Sequence, residues 1–240
     1  MINGLSIIPE PKNEPVYSYA PGTNERELLL KEIHRQIDKK VEIPLIIGGK
    51  EITTENIGKA VRPDNHGHLL ATYHKAGLKE VSLAAKSTLD AKKDWESLPW
   101  INRASIFLKA AEIISKKYRY ILNAATMLNM SKNVFQAEID STCELADFFR
   151  FNPQYMLKIY QEQPNSTSEF IDRLEYRPLE GFFFAATPFN FTSIAGNLPT
   201  APALMGNTVV RKPASNAVLP AYPAYSSIVN LLLFRGLYWG

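Results

Sequence analysis

Side chains of three different chemistries stand at the ends of short apolar segments in the second half of the chain: the hydroxyl of Thr187, the amide of Asn190 and the ammonium group of Lys212. Thr187 follows the apolar run Phe182–Ala186, and Lys212 follows the apolar residues Thr208–Val210. If both segments are parallel strands, the polar residues lie at carboxyl ends, where ligands bind in parallel sheets. The stretch therefore predicts a ligand site.

The elements that must position this site are indicated by the run Phe182–Ala186 and by the residues after it. The run is apolar on both faces and is bounded by Gly and Pro, which predicts a strand buried on both sides. A buried helix segment is the alternative, but Pro188 directly after the run favours a strand. An apolar helix to Met205 and a second strand at Thr208–Val210 complete a βαβ unit, which implies a parallel sheet.

Composition limits the class of protein. The 240 residues are 45% hydrophobic and 21% charged, as in an ordinary soluble globular protein, and suffice for one large domain or two small ones. A formal charge of +3 without a basic patch argues against a nucleic-acid partner. No apolar segment approaches the length of a membrane span, so no membrane partner is expected. The N-terminus shows neither a secretory signal nor an Arg-rich presequence.

Two features could suggest other chemistry. His66 and His68 occupy the turn-like sequence Asp64–His68 and could bind a metal, but a polar turn with exposed imidazoles is favoured because no third ligand lies nearby. No metal site is predicted. The single cysteine, Cys143, excludes a disulfide framework and lies beside acidic residues, which raise the pKa of a thiol. It is predicted to be a packed structural thiol.

The preceding part of the chain predicts an arm, short strands and then successive helices. Residues 1–22 are rich in Pro, Asn and Ser and are expected to form an arm over another surface. Ile43–Ile47 and Lys50–Ile52, joined by Gly48-Gly49, predict a hairpin, and another strand pair is expected around the His66 turn. One apolar face of the first long helix comprises Val81, Ala84, Ala85, Thr88 and Leu89. Helices are predicted over Leu78–Trp95, Asn102–Lys117, Tyr120–Met130 and Val134–Tyr160, and a strand over Arg173–Pro178.

Two runs of sequence carry a family resemblance: Thr187-Pro188-Phe189-Asn190-Phe191 and Ala201-Pro202-Ala203-Leu204-Met205-Gly206-Asn207-Thr208-Val209-Val210-Arg211-Lys212-Pro213. They resemble the nucleotide-binding core of the aldehyde dehydrogenase superfamily. Gln136–Asp140 and Glu144–Asn152 add similarity to its delta-1-pyrroline-5-carboxylate dehydrogenase branch, over roughly Lys12–Tyr225. The resemblance implies an α/β fold, an arm and helical layer followed by the first part of a Rossmann-like NAD-binding domain.

The domain boundaries expected from this resemblance divide the chain at residues 22, 178 and 225. Residues 1–22 would be the arm, 23–178 the hairpin and helical layer, and 179–225 the first βαβ part of the NAD-binding domain. Residues 226–240 would be a divergent tail, in which the expected helix and strand are not recognisable.

The resemblance also implies roles for individual residues. Asn190 would hold the oxyanion of the thiohemiacetal, which requires a neutral donor fixed where charge develops; on the residues alone it could equally be a turn or helix N-cap residue. Lys212 would contact the adenosine ribose of NAD, and Thr187 would lie beside the cofactor. Without the resemblance they are a solvated lysine and a strand terminator. Glu144 would face the substrate's ammonium group and Phe191 would line its pocket, although Glu144 is otherwise a surface acid.

The implied activity is the NAD-dependent oxidation of L-glutamate 5-semialdehyde, a small-molecule aldehyde, to L-glutamate in proline catabolism. The family's cysteine nucleophile and glutamate base are expected beyond this N-terminal portion, so the chain alone is expected to be inactive. The alternatives are a truncated isoform or gene-model fragment that associates with full-length subunits, and a dehydrogenase for another semialdehyde. By resemblance, the full-length protein would be a homo-oligomer of the mitochondrial matrix.

Overall fold

A computed structural model describes residues 7–224 of the chain, and the predicted elements are present with a few corrections. The helices are α1 (Asn24–Asp38), α2 (Leu78–Ser97), α3 (Trp100–Ser115), α4 (Arg119–Met130), α5 (Val134–Ala137), a π-helix (Glu138–Glu144), α6 (Leu145–Gln161) and α7 (Thr192–Leu204). The strands are β1 (Val41–Ile43), β2 (Leu45–Ile47), β3 (Lys50–Ile52), β4 (Ile57–Arg62), β5 (Asn65–His74), β6 (Phe183–Ala186) and β7 (Val209–Lys212). Residues 218–224 are also helical, and the tail 226–240 lies outside the described residues.

The N-terminal strands form two small sheets. Strands β2 and β3 pair antiparallel across Gly48 and Gly49, whose positive φ angles suit glycine, so the predicted hairpin is confirmed. Ile43 belongs instead to β1, which pairs parallel with β5 in the order β1-β5-β4. The second strand pair is confirmed as β4 and β5, but its turn is at residues 63–64. The interpretation of His66 as a turn residue was wrong, since both histidines lie within β5.

The helical layer is confirmed in position, with two differences of detail. The buried side chains of α2 are Thr88 and Trp95, whereas Val81 and Leu89 are exposed. The helix packs against β2 and β7, and the Trp95 indole N–H donates to the carbonyl of Ala203 in α7 at 2.9 Å. The long helix expected over Val134–Tyr160 is α5 and α6 joined by the π-helix. The π-helix carries much of the chain's buried polar chemistry.

The main core lies where α3 and α6 meet α7 and the sheet of β6 and β7. The rings of Phe107 and Phe149 contact edge to face at 5.7 Å between centroids, and Ala185, Ala203 and Val209 pack into the same cluster. Burial of these apolar side chains drives the packing of the helical layer on the sheet. The core therefore fixes α7, and with it the loop that precedes α7.

The βαβ unit is confirmed as β6, α7 and β7, with β6 and β7 parallel and Phe183 opposite Val209. The prediction that the first strand is buried on both sides was wrong, because Phe184 is 62% exposed. Alternate side chains of a strand point to opposite faces, and α7 covers only the face of Phe183 and Ala185. The strand predicted over Arg173–Pro178 is also absent: these residues form no ladder within residues 7–224, and alternation without a neighbouring strand makes no sheet.

Candidate functional site

The carboxyl ends of β6 and β7 bring Thr187 and Lys212 together. Ala186 lies opposite Lys212 in the parallel register, and the main-chain N–H of Thr187 donates to the Lys212 carbonyl at 3.1 Å. Thr187 is 7% exposed, and its buried hydroxyl oxygen has no hydrogen-bond partner within the described residues. The Lys212 side chain is exposed. This edge therefore offers a cation and an unused hydroxyl at adjacent strand ends.

The loop after Thr187 carries Asn190 and Phe191 to the start of α7. Asn190 is exposed, so its amide N–H groups are accessible to a ligand. Phe191 is half-buried, and the ammonium group of Lys132 lies 4.2 Å from the centre of its ring. A cation at this distance is attracted to the face of the ring, which fixes Phe191 against the end of α4.

The first turn of α7 is capped by a side chain from another helix, Asp140. Its Oδ2 accepts the main-chain N–H of Thr192 at 3.0 Å, and its Oδ1 accepts that of Ser193 at 2.9 Å. The N-terminal N–H groups of a helix have no partner within the helix, and Phe191 at the capping position has no side-chain oxygen to supply one. Lys132 pairs with the same carboxylate at 2.7 Å, so one carboxylate joins the cap to the Phe191 contact.

Glu144 faces the same turn of α7. Its carboxylate is half-buried, and its Oε2 lies 2.9 Å from the hydroxyl oxygen of Ser193, a residue that is 0% exposed. The partial positive charge at the N-terminus of α7 favours both carboxylates. The predicted substrate-facing acid thus lies beside the start of α7, the helix that directly follows Phe191.

The π-helix is the element that positions these acids. Its wider turn places a run of polar residues inside the protein: Glu138, Asp140, Ser141, Thr142 and Cys143 are all buried. Asp140 reaches α7, and the hydroxyls of Ser141 and Thr142 both donate to the Asn123 side-chain oxygen, at 2.6 and 2.9 Å. Short π-helical segments occur preferentially at functional sites.

Glu138 connects the π-helix to the N-terminal arm. Its carboxylate is 0% exposed, forms an ion pair with Arg119, and accepts the Tyr19 hydroxyl at 2.6 Å and the Tyr17 N–H at 2.9 Å. Burial alone would raise the pKa of the carboxyl, but the hydrogen bonds from Arg119, Tyr19 and Tyr17 outweigh it, so the pKa is lowered. Arg119 also pairs with Glu14 of the arm at 2.6 Å. The arm is therefore held through buried charge.

Cys143 is confirmed as a packed structural thiol. It is 4% exposed, and burial first, with the charge of Glu138 second, raises the pKa of its thiol to about 12. Only a thiolate is an effective nucleophile. Cys143 therefore supplies none near neutral pH.

The predicted residues form two groups in the structure. Thr187 and Lys212 share the sheet edge, whereas Glu144 and Phe191 lie at the start of α7; no hydrogen bond within residues 7–224 joins the two groups, and Asn190 lies between them in the chain. The sequence analysis assigned no role to Asp140, Lys132 or Ser193. The available signal was Phe191 itself, because a helix that begins without a capping side chain requires a partner from elsewhere.

The described part contains neither a cluster of metal-ligating side chains nor a helix that could span a membrane. Across residues 7–224, no group of three or more His, Cys, Asp and Glu side chains is placed to hold a metal ion. No helix of that same part is both long and apolar enough to cross a membrane.

Sequence comparison matches residues 52–230 to the aldehyde dehydrogenase family. A probable delta-1-pyrroline-5-carboxylate dehydrogenase of Schizosaccharomyces pombe is 50% identical over 220 residues, which are 91% of this chain and 40% of that protein. The mitochondrial delta-1-pyrroline-5-carboxylate dehydrogenase of Homo sapiens is 42% identical over 213 residues, covering 89% and 38% of the two chains. The chain thus spans about 40% of the length of the curated relatives it matches.

Structural comparison agrees with this result. The crystal structure of the delta-pyrroline-5-carboxylate dehydrogenase from Mycobacterium tuberculosis superposes with a TM-score of 0.94 at 43% identity, covering 96% of this chain and 43% of the other. That enzyme has also been solved bound with NAD. The fold is accordingly that of the N-terminal portion of these dehydrogenases, as predicted.

Proposed function

The chain belongs to the aldehyde dehydrogenase family, and from this premise we propose that it supplies the N-terminal part of a dehydrogenase site that oxidises L-glutamate 5-semialdehyde to L-glutamate with NAD. The coarser assignment rests on relatives named delta-1-pyrroline-5-carboxylate dehydrogenase. The substrate and the residue roles are the proposal, because the chain spans about 40% of those relatives.

One structural observation carries the proposal: the Asn190 loop is fixed at both of its ends. At one end the Thr187 N–H is bonded to the carbonyl of Lys212, and at the other Asp140 caps α7 directly after Phe191. An amide held on such a loop suits the stabilisation of an oxyanion, because a preorganised donor costs no reorganisation when charge develops. We assign this role to Asn190, and the orientation of the substrate's ammonium group to Glu144, with Phe191 lining the pocket.

The residues at the sheet edge fit NAD. Lys212 is an exposed cation at the carboxyl end of β7, and the buried Thr187 hydroxyl has no partner within residues 7–224, as expected beside a ligand site. Lys212 would hold the ribose hydroxyls of the cofactor and Thr187 would lie next to it. When bound, NAD supplies the acceptor for the hydride that leaves the aldehyde carbon.

The thiol needed for this reaction does not come from Cys143, whose pKa is raised to about 12. We therefore propose that the 240-residue chain is inactive alone and acts only with a nucleophile from another polypeptide or a longer form. Exposed Phe184 on β6 supports a non-catalytic alternative, in which the chain associates with a full-length subunit that covers this face. Co-purification of the two from mixed expression tests that alternative, and their separation would contradict it.

Two further assignments belong to the proposal. We divide the chain at residue 178 into an arm with its helical layer and the first βαβ part of an NAD-binding domain. Several relatives are named mitochondrial, which supports a location in the mitochondrial matrix. Imaging of a C-terminally tagged chain in its native cells tests the location, and exclusion from mitochondria would contradict it.

NAD binding is tested on the purified chain by following main-chain amide resonances during a titration with NAD. Resonances near Thr187 and Lys212 should shift, and Lys212→Ala should weaken binding, whereas Lys86→Ala, at an exposed position of α2, should not. Absence of any shift at the sheet edge would contradict the cofactor assignment. In the same preparation, L-glutamate 5-semialdehyde and NAD should yield no NADH, and measurable turnover would contradict the proposed inactivity.

A further inference from the structure

Two carboxylates share a single hydroxyl group at the start of α7. The Ser193 oxygen lies 2.8 Å from Oδ1 of Asp140 and 2.9 Å from Oε2 of Glu144. A serine hydroxyl has one proton to donate, and an ionised carboxylate can only accept. When both carboxylates are ionised, the Ser193 hydroxyl can therefore donate a hydrogen bond to only one of them.

The two carboxylates differ in the number of other hydrogen-bond donors that contact them. Asp140 already accepts the N–H groups of Thr192 and Ser193 and pairs with Lys132. For Glu144, the Ser193 hydroxyl is the hydrogen-bond donor found within residues 7–224. A partly buried carboxylate without a donor is costly, so in the absence of a ligand the proton favours Glu144.

We propose that Ser193 is a positioning residue whose hydroxyl has two alternative hydrogen bonds. It holds the Glu144 carboxylate in place before a cationic ligand binds, and it releases that carboxylate when the ligand binds. Before binding, the hydroxyl donates to Glu144 and fixes its carboxylate. When a ligand's ammonium group approaches, it supplies Glu144 with new donors, and the hydroxyl proton rotates toward Asp140 Oδ1, which lies within bonding distance without any movement of the oxygen. The arrangement selects amino-acid ligands over the same acids without an ammonium group.

This inference rests on the proposed function, in which Glu144 meets the ammonium group of the substrate. Ser193 itself does not need to touch the ligand. Its cap contribution comes from the main-chain N–H, which Ser193→Ala retains. The substitution therefore removes the hydroxyl alone and separates the proposed role from the capping of α7.

The test compares binding of L-glutamate and glutarate to the full chain by titration calorimetry and amide resonances. Glutarate is the same diacid without the ammonium group. The unmodified chain should bind L-glutamate more tightly, and L-glutamate but not glutarate should shift the resonances of Ser193 and Asp140. Ser193→Ala should strengthen L-glutamate binding by up to about tenfold, the usual scale for a hydrogen bond to a charged group, because the ligand no longer has to displace the hydroxyl from Glu144. Glutarate binding should be unchanged.

A double-mutant cycle with Glu144→Gln decides whether Ser193 acts through Glu144. In a chain that already carries Glu144→Gln, the substitution Ser193→Ala should have no further effect. Thr200→Val is the matched control, because it removes another buried hydroxyl of α7, one bonded to the helix backbone; it should leave the preference intact.

The outcomes separate the two proposals. If the unmodified chain does not prefer L-glutamate, or if Glu144→Gln does not affect that preference, the role of Glu144 in the proposed function fails, and this inference fails with it. If Glu144→Gln removes the preference but Ser193→Ala does not increase it, or if Ser193→Ala changes L-glutamate binding equally with and without Glu144→Gln, the role of Ser193 alone is overturned.

Discussion

Asp140 caps a helix to which it does not belong: its Oδ2 accepts the main-chain N–H of Thr192 at 3.0 Å. The contact joins the π-helix to the start of α7, directly after the loop that carries Asn190. A residue inside one helix therefore determines where the next element of the site begins. The capping oxygen also pairs with Lys132, which contacts the ring of Phe191.

Removal of this cap should destabilise the chain. Asp140→Ala leaves the Thr192 and Ser193 N–H groups without their acceptor, and a buried donor left unsatisfied costs about 1–3 kcal/mol. We expect the free energy of unfolding, measured with urea, to fall by about 2–3 kcal/mol. Asp90→Ala, which breaks only an exposed pair with Lys86, should change it by about 0.5 kcal/mol or less. Equal effects of the two substitutions would contradict the capping role.

Substitution of Glu138 should lower the free energy of unfolding more than substitution of any exposed acid. Glu138→Gln removes one of the two carboxylates, with Glu14, that pair with the buried guanidinium of Arg119, and breaking a buried ion pair on one side costs about 3–5 kcal/mol. The loss should appear as a lower midpoint in urea unfolding, together with faster proteolysis of residues 7–20, which the pair helps to hold. An unchanged midpoint would exclude the pair as the anchor of the arm.

The same carboxyl predicts a pH dependence. Because the pKa of Glu138 is lowered in the folded chain from its ordinary value of 4.5, its contribution to stability is present above pH 4.5 and is lost as pH falls through the lowered pKa. Unfolding midpoints measured between pH 7 and pH 3, about the range in which carboxyls titrate, should fall at the acid end. Glu138→Gln should flatten this dependence, and an unaltered slope would assign it to other groups.

Cys143 should react with thiol reagents only after unfolding. Its raised pKa and burial keep it as an inaccessible thiol in the folded chain. We expect a disulfide reagent at neutral pH to label the native chain slowly and the urea-unfolded chain rapidly. Rapid labelling of the native chain would contradict the packed-thiol interpretation and reopen Cys143 as a nucleophile.

The sequence predicted the βαβ unit because β6, α7 and β7 each have a local signal: an apolar run, Pro and Gly punctuation, and a second apolar run. It mispredicted Arg173–Pro178, since alternation is local but a sheet needs a partner strand. The exposure of Phe184 was missed for a similar reason, because a run apolar on both faces does not reveal which face is covered.

The candidate site was predictable only where its residues follow strands or a motif. Thr187, Asn190 and Lys212 could be identified in this way. The Asp140 cap and the Ser193 contact with Glu144 join residues far apart in the chain, through a π-helix that no helical periodicity indicates. Such contacts depend on tertiary packing.

The central claim, that residues 7–224 form the N-terminal part of a semialdehyde dehydrogenase site, is tested most directly in a chimera. These residues replace the corresponding portion of the Mycobacterium tuberculosis enzyme, and NADH formation from L-glutamate 5-semialdehyde is measured. We predict an active chimera in which Asn190→Ala lowers kcat by about 10²–10³-fold, the usual effect of removing one oxyanion donor, while Asn216→Ala does not. A folded chimera without activity, or one unaffected by Asn190→Ala, would contradict the claim.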